Sequence, residues 1–337
     1  MKIFIIGITG LLGSETARCL FRDGHEISGL SLASIPSDFE LPPQIQIHIK
    51  DYLTISTKEF KTLVTGFDAL IFAAGIDERI KTPPPAYEIF NKYNVDPLRK
   101  LIPVAKDVGV KHLVVFGSYF THFNEIRPKL ELAKHHPYIK SRQLQKEMVL
   151  SFGDENFDVS LLELPYIFGT QKGRKPVWTF LIKMLLKMKG FTYYPAGGSA
   201  MVTVKQVGEA AKGALFETKG AKAYPISYYN TSWKEMLTVM HRAISKPKRK
   251  IIVVPYFIYK IIMKHIYRKD QRSGYEGGLN LGKFAAMHCS YQYIDPATTI
   301  SLGVGPDDLE AAIYESSKLS YDIIKNNNPV IEMKITK

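Results

Sequence analysis

The first thirteen residues constrain the fold of this chain more than any other segment. An apolar run from Ile3 to Ile6 is followed at once by glycines at positions 7, 10 and 13 and then by a helical pattern. Without Cβ atoms, such glycines allow a tight turn, a close approach of the backbone to a pyrophosphate and close packing of the helix on the strand. Free N–H groups and the positive end of the helix dipole would then face the phosphates. The segment therefore predicts dinucleotide binding. The predicted contacts are Gly7, Thr9, Gly10, Leu11, Leu12 and Gly13.

The rest of the first half alternates short β-rich runs with amphipathic helical stretches, which is the pattern of βαβ units in a parallel sheet. Several runs are continuous in Ile, Val, Leu and Phe, as expected when helices cover both faces of the sheet. The predicted strands span residues 2–6, 26–30, 45–48, 69–73, 112–117 and 158–163. After Pro165, longer helical patterns are expected at 177–189, 205–217, 232–243 and 307–324. The predicted fold is α/β, a Rossmann-type doubly wound parallel sheet with a smaller, mostly helical C-terminal substrate lobe.

A length of 337 residues favours two structural units. We expect an NAD(P)-binding Rossmann domain at 1–165, a substrate-binding lobe at 166–325 that is interleaved with the first domain, and a tail at 326–337. The N-terminus begins directly with a strand pattern, so we expect no signal peptide there.

Cysteine and histidine usage argues against a disulfide framework or a metal site. The two cysteines, Cys19 and Cys289, are too few for either and fit a reducing compartment. His135 and His136 precede a proline and are expected in a solvated loop. We therefore expect a cytoplasmic protein without a metal.

The charge of the chain is concentrated in one segment. The net charge is +13, from 45 Lys and Arg against 32 Asp and Glu, and residues 242–272 hold ten of those cations against the single acid Asp270. A nucleic-acid binder would spread such charge over its recognition surface, so nucleic acid is not an expected partner. Lys260, Lys264 and Arg268 recur at helical spacing. We favour a solvated basic edge on a helix packed into the lobe, while weak contact with a membrane surface, or binding of an anionic ligand, remains the alternative.

The end of the second strand bears on the choice of dinucleotide. An acid there binds the ribose 2′-hydroxyl of NAD, whereas a nearby arginine accommodates the 2′-phosphate of NADP. The segment after Leu30 has neither, and Ser31 or Ser34 could donate to a phosphate. The sequence therefore favours NADP slightly over NAD.

The glycine pattern resembles that of the extended short-chain dehydrogenase/reductase family, also called the NAD-dependent epimerase/dehydratase family. Further segments can be aligned with the family pattern along most of the chain, including an acid that faces the adenine, small residues beside the cofactor and an Asn-Val helix start. The cofactor-site positions that this resemblance implies are Asp51, Tyr52, Ala73, Ala74, Gly75, Asn94, Arg142 and Pro165.

The family's catalytic pattern is Ser or Thr followed by Tyr-x-x-x-Lys, and this chain matches it with one departure. The resemblance implies that Tyr138 is the acid/base, that Ser118 hydrogen-bonds the substrate oxygen, and that Arg142 takes the place of the lysine that holds the nicotinamide ribose. Arginine keeps its charge but cannot pass a proton on as an ammonium can. His122 and Tyr166 match positions that line the substrate site.

These features predict an NAD(P)-dependent oxidoreductase that transfers a hydride at a hydroxyl or carbonyl carbon of a small molecule. The Leu164-Pro165-Tyr166 segment resembles the reductase branch of the family. A nucleotide-sugar epimerase or dehydratase is the first alternative. A cofactor-binding sensor or complex subunit without turnover is the second alternative. The sequence also leaves open that the protein forms a homodimer.

Overall fold

The structure, a computed structural model, describes residues 1–32, 39, 41–326 and 330–331. Two features considered in the sequence, Ser34 and residues 327–329 and 332–337 of the predicted tail, lie outside the described residues.

The strands and helices of the described residues are as follows. The strands are β1 (Lys2–Ile6), β2 (Glu26–Ser31), β3 (Gln46–Ile49), β4 (Ala69–Phe72), β5 (Lys81–Thr82), β6 (His112–Phe116), β7 (Asp158–Glu163), β8 (Tyr166–Phe168), β9 (Thr192–Pro195), β10 (Gly198–Thr203), β11 (Ala221–Pro225), β12 (Tyr229–Ser232), β13 (Ile251–Val254), β14 (Glu276–Gly277) and β15 (Tyr291–Gln292). The helices are α1 (Leu11–Arg22), α2 (Thr57–Val64), α3 (Ala86–Asn94), α4 (Asp96–Asp107), α5 (Tyr119–Ile126), α6 (Leu132–His135), α7 (Pro137–Leu150), α8 (Thr179–Lys187), α9 (Val204–Phe216), α10 (Trp233–Ala243), α11 (Tyr256–Arg272), α12 (Leu281–His288), α13 (Ala297–Ser301) and α14 (Leu309–Asn326).

Seven parallel strands form the main sheet in the order β11-β7-β6-β4-β1-β2-β3. Chain order reverses between β1 and β4, and ligands of such sheets bind in the crevice at the carboxyl ends of the strands beside this point. The six predicted strands are present with ends within one residue, and the four predicted helices begin and end within two residues. The predicted Rossmann-type fold is therefore confirmed.

The side chains of β1 point alternately into two core layers, one on each face of the main sheet. Phe4 and Ile6 pack on one side of the sheet with Phe60 and Phe72, while Ile3 and Ile5 pack on the other side with residues of α1 and α9. Successive side chains of a strand point to opposite faces, so a continuous apolar strand requires cover on both. Both layers of helices are present in the structure.

The C-terminal lobe has its own core beside the carboxyl ends of the sheet. Helices α8, α10 and α14 surround Trp178 and Trp233, and β10 pairs with β8, β12 and β15. The chain also returns to the main sheet, because β11 pairs with β7. The sequence analysis did not predict β11, and the boundaries at residues 165 and 325 stay a prediction.

Helix α11 differs from the interpretation that we favoured. The helix includes Lys260, Lys264 and Arg268 and packs against α12 along one side, but each of its residues is half-buried or exposed, so its apolar side chains are not enclosed by the lobe. Within the described residues, no helix combines the length and the apolar content needed to cross a bilayer.

Two glycines of α9 offer a matched test of this packing. A Cβ at Gly213 would lie 1.9 Å from the carbonyl oxygen of Leu302, whereas one at Gly208 would come no closer than 3.4 Å to Cys19 or Glu15. We expect Gly213→Ala to destabilise the protein by roughly 1–3 kcal/mol through overpacking. Gly208→Ala should be neutral or stabilising by up to about 1 kcal/mol through helix propensity. Denaturant unfolding of both variants measures the difference, and equal stabilities would contradict the packing described here.

Candidate active site

The glycine turn is shaped by atoms that leave no room for side chains. Gly7 has φ +88°, and a Cβ on it would lie 3.0 Å from the carbonyl carbon and oxygen of Ala73. A Cβ on Gly13 would lie 2.2 Å from the Gly7 oxygen. Gly10 caps α1 through its backbone alone, since no side chain bonds the first turn. The N–H groups at the start of α1, including those of Leu11 and Leu12, are thus available to an anion.

A loop of the C-terminal lobe lies over this turn. Thr9 shares a 2.7 Å hydrogen bond with Ser31 at the end of β2. Gln171 donates to the Thr9 carbonyl at 3.0 Å, and Arg174 donates to the Thr9 hydroxyl at 3.4 Å. Burial lowers the pKa of Arg174, and its Nε has no partner among the described residues. The sequence analysis missed this cation because it comes from a different lobe.

The loop after β4 is held by hydrogen bonds from Asn94 on α3 and from Arg142 on α7. Gly75 has φ +129°, and a Cβ there would lie 2.4 Å from Asn94 Oδ1. The Asn94 amide accepts from the N–H of Ile76 at 2.9 Å and donates to its carbonyl at 3.1 Å. The structure thus brings Gly75 and Asn94 together, while Ala73 and Ala74 are half-buried beside the glycine turn.

The remaining predicted cofactor residues lie at the ends of strands. Asp51 follows β3, is half-buried, and accepts from the N–H of Leu53 at 2.8 Å. Tyr52 is buried and donates to the Tyr93 carbonyl at 3.4 Å. Pro165 is buried after β7.

Tyr138 and Arg142 lie one turn apart on α7 and are bonded to each other. Arg142 Nε donates to Tyr138 Oη at 3.1 Å. The same guanidinium donates to Gln145 Oε1 at 2.8 Å and to the carbonyls of Phe116 and Ile76 at 3.3 and 3.4 Å. Burial raises the pKa of Tyr138, and the charge of Arg142 opposes that rise. The predicted pair therefore lies at the ends of β4 and β6, beside the crevice.

Ser118 lies at the carboxyl end of β6 and caps α5. Its side chain accepts from the Phe120 N–H at 3.4 Å, and the residue is buried. Phe120 packs edge-on against Tyr138, with ring centroids 6.4 Å apart. Ser118 and Tyr138 are thus both connected to Phe120, the first through its backbone and the second through its ring.

An acidic residue that the sequence analysis missed, Glu78, is connected to Tyr138 through the backbone of Gly278. The Glu78 carbonyl accepts from the Gly278 N–H at 3.1 Å, and the Gly278 carbonyl accepts from the Tyr138 N–H at 3.0 Å. Burial and the neighbouring Asp77 raise the pKa of Glu78 to about 7, while the charge of Arg79 and, to a lesser extent, that of Arg142 act in the opposite direction. The Glu78 charge in turn raises the pKa of Tyr138. No sequence motif marks Glu78, since its position depends on a segment far along the chain.

The two predicted substrate residues have different surroundings. The Tyr166 ring packs between Trp178, Trp233 and Tyr119, with centroids at 4.9, 5.3 and 6.1 Å. His122 is half-buried on α5, where burial lowers its pKa and the charge of Glu163 opposes that effect. A substrate contact of His122 stays a prediction.

The expectation of two solvated histidines was wrong for His136. This residue is buried, and its Nδ1 accepts from the Asn280 N–H at 3.0 Å. Burial lowers its pKa to about 3. His136 is therefore a neutral structural residue that joins α7 to the segment before α12.

Comparisons with known proteins agree with this geometry. The sequence model of the NAD dependent epimerase/dehydratase family matches residues 3–210. By sequence alone, no curated protein is significantly similar to the chain.

Similar solved structures cover almost the whole chain. UDP-glucuronic acid 4-epimerase from Bacillus cereus, in complex with NAD, superposes with a TM-score of 0.68 at 12% identity, covering 97% of this chain and 99% of that one. The enzyme WbmH from Bordetella bronchiseptica, in complex with NAD+, gives 0.65 at 17% identity over 95% and 98%. UDP-N-acetylglucosamine 4-epimerase from Methanobrevibacter ruminantium M1, in complex with UDP-N-acetylmuramic acid, gives 0.64 at 15% identity over 96% and 98%.

At these identities the solved structures establish the shared fold, while the family match establishes the relationship. The glycine turn and the Tyr138–Arg142 pair lie within the matched residues. The chain belongs to the NAD-dependent epimerase/dehydratase family and is an enzyme of that family.

Proposed function

We propose that the protein is an NAD-dependent epimerase that inverts a hydroxyl-bearing carbon of a nucleotide sugar. The observation that supports this most is the buried Tyr138 hydroxyl, bonded to Arg142 at the ends of β4 and β6. Similar folds include several UDP-sugar 4-epimerases. These favour the epimerase alternative over the net oxidoreductase that the sequence led us to expect.

The glycine turn fits a dinucleotide, because Gly7 and Gly13 let the backbone pack closely against the end of β4, and no side chain caps the N–H groups at the start of α1, which can bind a phosphate. In this proposal the turn holds the pyrophosphate, Arg174 offsets its charge, and Asp51 lies toward the adenine. When bound, NAD supplies the acceptor and the donor of a hydride. The neighbours that contain NAD support NAD, and nothing in them supports our preference for NADP.

The chain's own residues handle the proton. Tyr138 takes the hydroxyl proton of the substrate as the carbon is oxidised and returns a proton when it is reduced from the other face. Ser118 donates to the same oxygen. Arg142 stabilises the Tyr138 phenolate, since its charge lowers the tyrosine pKa against the effect of burial.

Glu78 indicates the class of sugar. A carboxylate beside Tyr138 can accept hydrogen bonds from sugar hydroxyls, but it repels a second carboxylate. We therefore propose an uncharged hexose or N-acetylhexosamine as the sugar, rather than a uronic acid.

Gly10→Val tests the cofactor site. A branched side chain at the cap of α1 would fill the approach of the pyrophosphate, because a Cβ there already lies 3.1 Å from the Gly7 oxygen. We expect the affinity for NAD to fall by about tenfold or more, or 1.4 kcal/mol. Calorimetry measures it, with Gly305→Ala, which has open space around it, as the control. Unchanged affinity would show that this turn does not hold the cofactor, and tighter binding of NADP than of NAD would restore our first preference.

Tyr138→Phe tests the acid/base. The variant should keep NAD binding and lose about 10²–10⁴-fold in kcat for interconversion of UDP-glucose or UDP-N-acetylglucosamine with their 4-epimers, followed by NMR. Tyr314→Phe, at an exposed position on α14, should retain full activity. Full activity of Tyr138→Phe would assign the acid/base to another residue. Absence of turnover in the wild type despite tight NAD binding would favour a cofactor sensor.

Arg142 is tested by the pH profile. The rate should rise with pH as Tyr138 ionises, and Arg142→Met should move that rise to higher pH because the opposing charge is lost. Arg142→Lys loses hydrogen bonds to Gln145 and Phe116 but keeps the charge, so its profile should remain near that of the wild type. If Arg142→Met and Arg142→Lys shifted the pH profile equally, the role of Arg142 would be purely structural.

Glu78→Gln tests the sugar class. The wild type should prefer UDP-glucose to UDP-glucuronic acid by about tenfold or more in kcat/KM, and the preference should grow as pH rises through about 7, where Glu78 ionises. Glu78→Gln should reduce the preference and its pH dependence, whereas the exposed Glu155→Gln should change neither. Equal use of both sugars by the wild type would refute the role of Glu78 and leave the epimerase assignment standing.

A further inference from the structure

An extensive apolar surface of the C-terminal lobe faces outward along β13 and α11. We call it the α11 face, and it comprises the exposed side chains of Ile252, Val253, Tyr256, Phe257, Ile258, Ile261, Ile262 and Ile266. Phe257 and Ile261 are 65% and 67% exposed. Contiguous exposed apolar patches of this kind on a folded protein mark interaction sites.

The orientation of α11 is fixed by its opposite side. Tyr259, Met263 and Tyr267 recur every four residues and are half-buried against the lobe. The Tyr259 hydroxyl is 2.6 Å from His288 Nδ1 on α12, and a Cβ at Gly282 of α12 would lie 3.2 Å from Lys264 Cα. Close packing and a specific hydrogen bond thus hold one side of the helix inward, so Phe257 and Ile261 must face outward.

Cations surround and extend this apolar surface. Lys260, Lys264, Arg268, Lys269 and Arg272 lie on α11, and none of them forms an ion pair with another described residue. The one acid of the helix, Asp270, is paired with Lys81 at 2.6 Å.

The apolar and basic parts of the helix meet at a surface depression of about 340 Å³. It is lined by Ile261, Lys264, His265, Arg268 and Arg272. A recess of this size with three cations on its walls and an isoleucine at its edge is suited to a phosphate attached to an apolar chain.

We propose that the α11 face binds the surface of a bilayer that contains anionic lipids. The helix lies in the plane of the interface, with its isoleucines and Phe257 at the boundary of the acyl chains and its lysines and arginines at the lipid phosphates. A second copy of the chain fits less well, because a twofold contact would set the same unpaired cations against one another. This inference is independent of the reaction that the enzyme catalyses.

Vesicle sedimentation tests the proposal with the full chain. The protein should bind vesicles of phosphatidylcholine mixed with phosphatidylglycerol, bind vesicles of phosphatidylcholine alone much less, and dissociate as ionic strength rises. Phe257→Ser combined with Ile261→Ser should weaken binding by about tenfold or more. Lys264→Gln combined with Arg268→Gln should weaken it by about fivefold for each cation removed.

The matched control is Ile126→Ser combined with Ile300→Ser. These isoleucines are 55% and 53% exposed but lie outside the α11 face, so their replacement should leave vesicle binding unchanged. Thermal unfolding should be the same for all variants, since every substituted side chain is largely exposed. The proposal would be overturned if the wild type failed to bind anionic vesicles. It would also be overturned if the control variant lost as much vesicle binding as the variants of the α11 face. Self-association that Phe257→Ser abolishes, in a protein without vesicle binding, would assign the face to a second copy.

Discussion

The close approach of the β1 turn to the end of β4 is the contact on which the candidate site depends. Gly7 touches the Ala73 backbone with no space for a Cβ, and Gly13 does the same to Gly7. The turn therefore lies close to the carboxyl ends of β1 and β4, and α1 begins directly beside the crevice. A methyl group on Gly7 would separate the turn from the end of β4, and one on Gly13 would separate α1 from the turn. The phosphate site therefore depends on the absence of both side chains.

Arg142 organises the other side of the crevice. Its guanidinium is buried, and its hydrogen bonds join the end of β6, the loop after β4 and two side chains of α7. Carbonyl and amide dipoles, rather than a bonded carboxylate, compensate the charge. A lysine could not reach all these acceptors from one ammonium group. In this chain the arginine at the family's lysine position thus has a structural role that adds to its effect on Tyr138.

Local patterns sufficed to predict the strands and the Tyr138–Arg142 pair. Continuous apolar runs identify strands that are covered on both faces, and a spacing of four residues places two side chains on one side of a helix. Glu78 and Arg174 could not be found in this way, because their neighbours, Gly278 and Thr9, come from distant parts of the chain. The same holds for α11, whose periodic pattern fits a buried helix, while the surrounding fold leaves its apolar side uncovered.

His288, which anchors α11 through Tyr259, makes this anchor sensitive to acid. Both ring nitrogens are engaged, one with the Tyr259 hydroxyl and the other with the Tyr194 hydroxyl at 3.3 Å. Its enclosure lowers the pKa to about 4. Between about pH 6.5 and 4 the histidine is protonated in the unfolded chain but not in the folded protein. Its contribution to the free energy of unfolding is therefore fully present above about pH 6.5 and is lost as pH falls toward about 4. Mild acidification should thus weaken the contact between α11 and α12, and the buried His136 makes the neighbouring contact between α7 and the segment before α12 sensitive to acid in the same way.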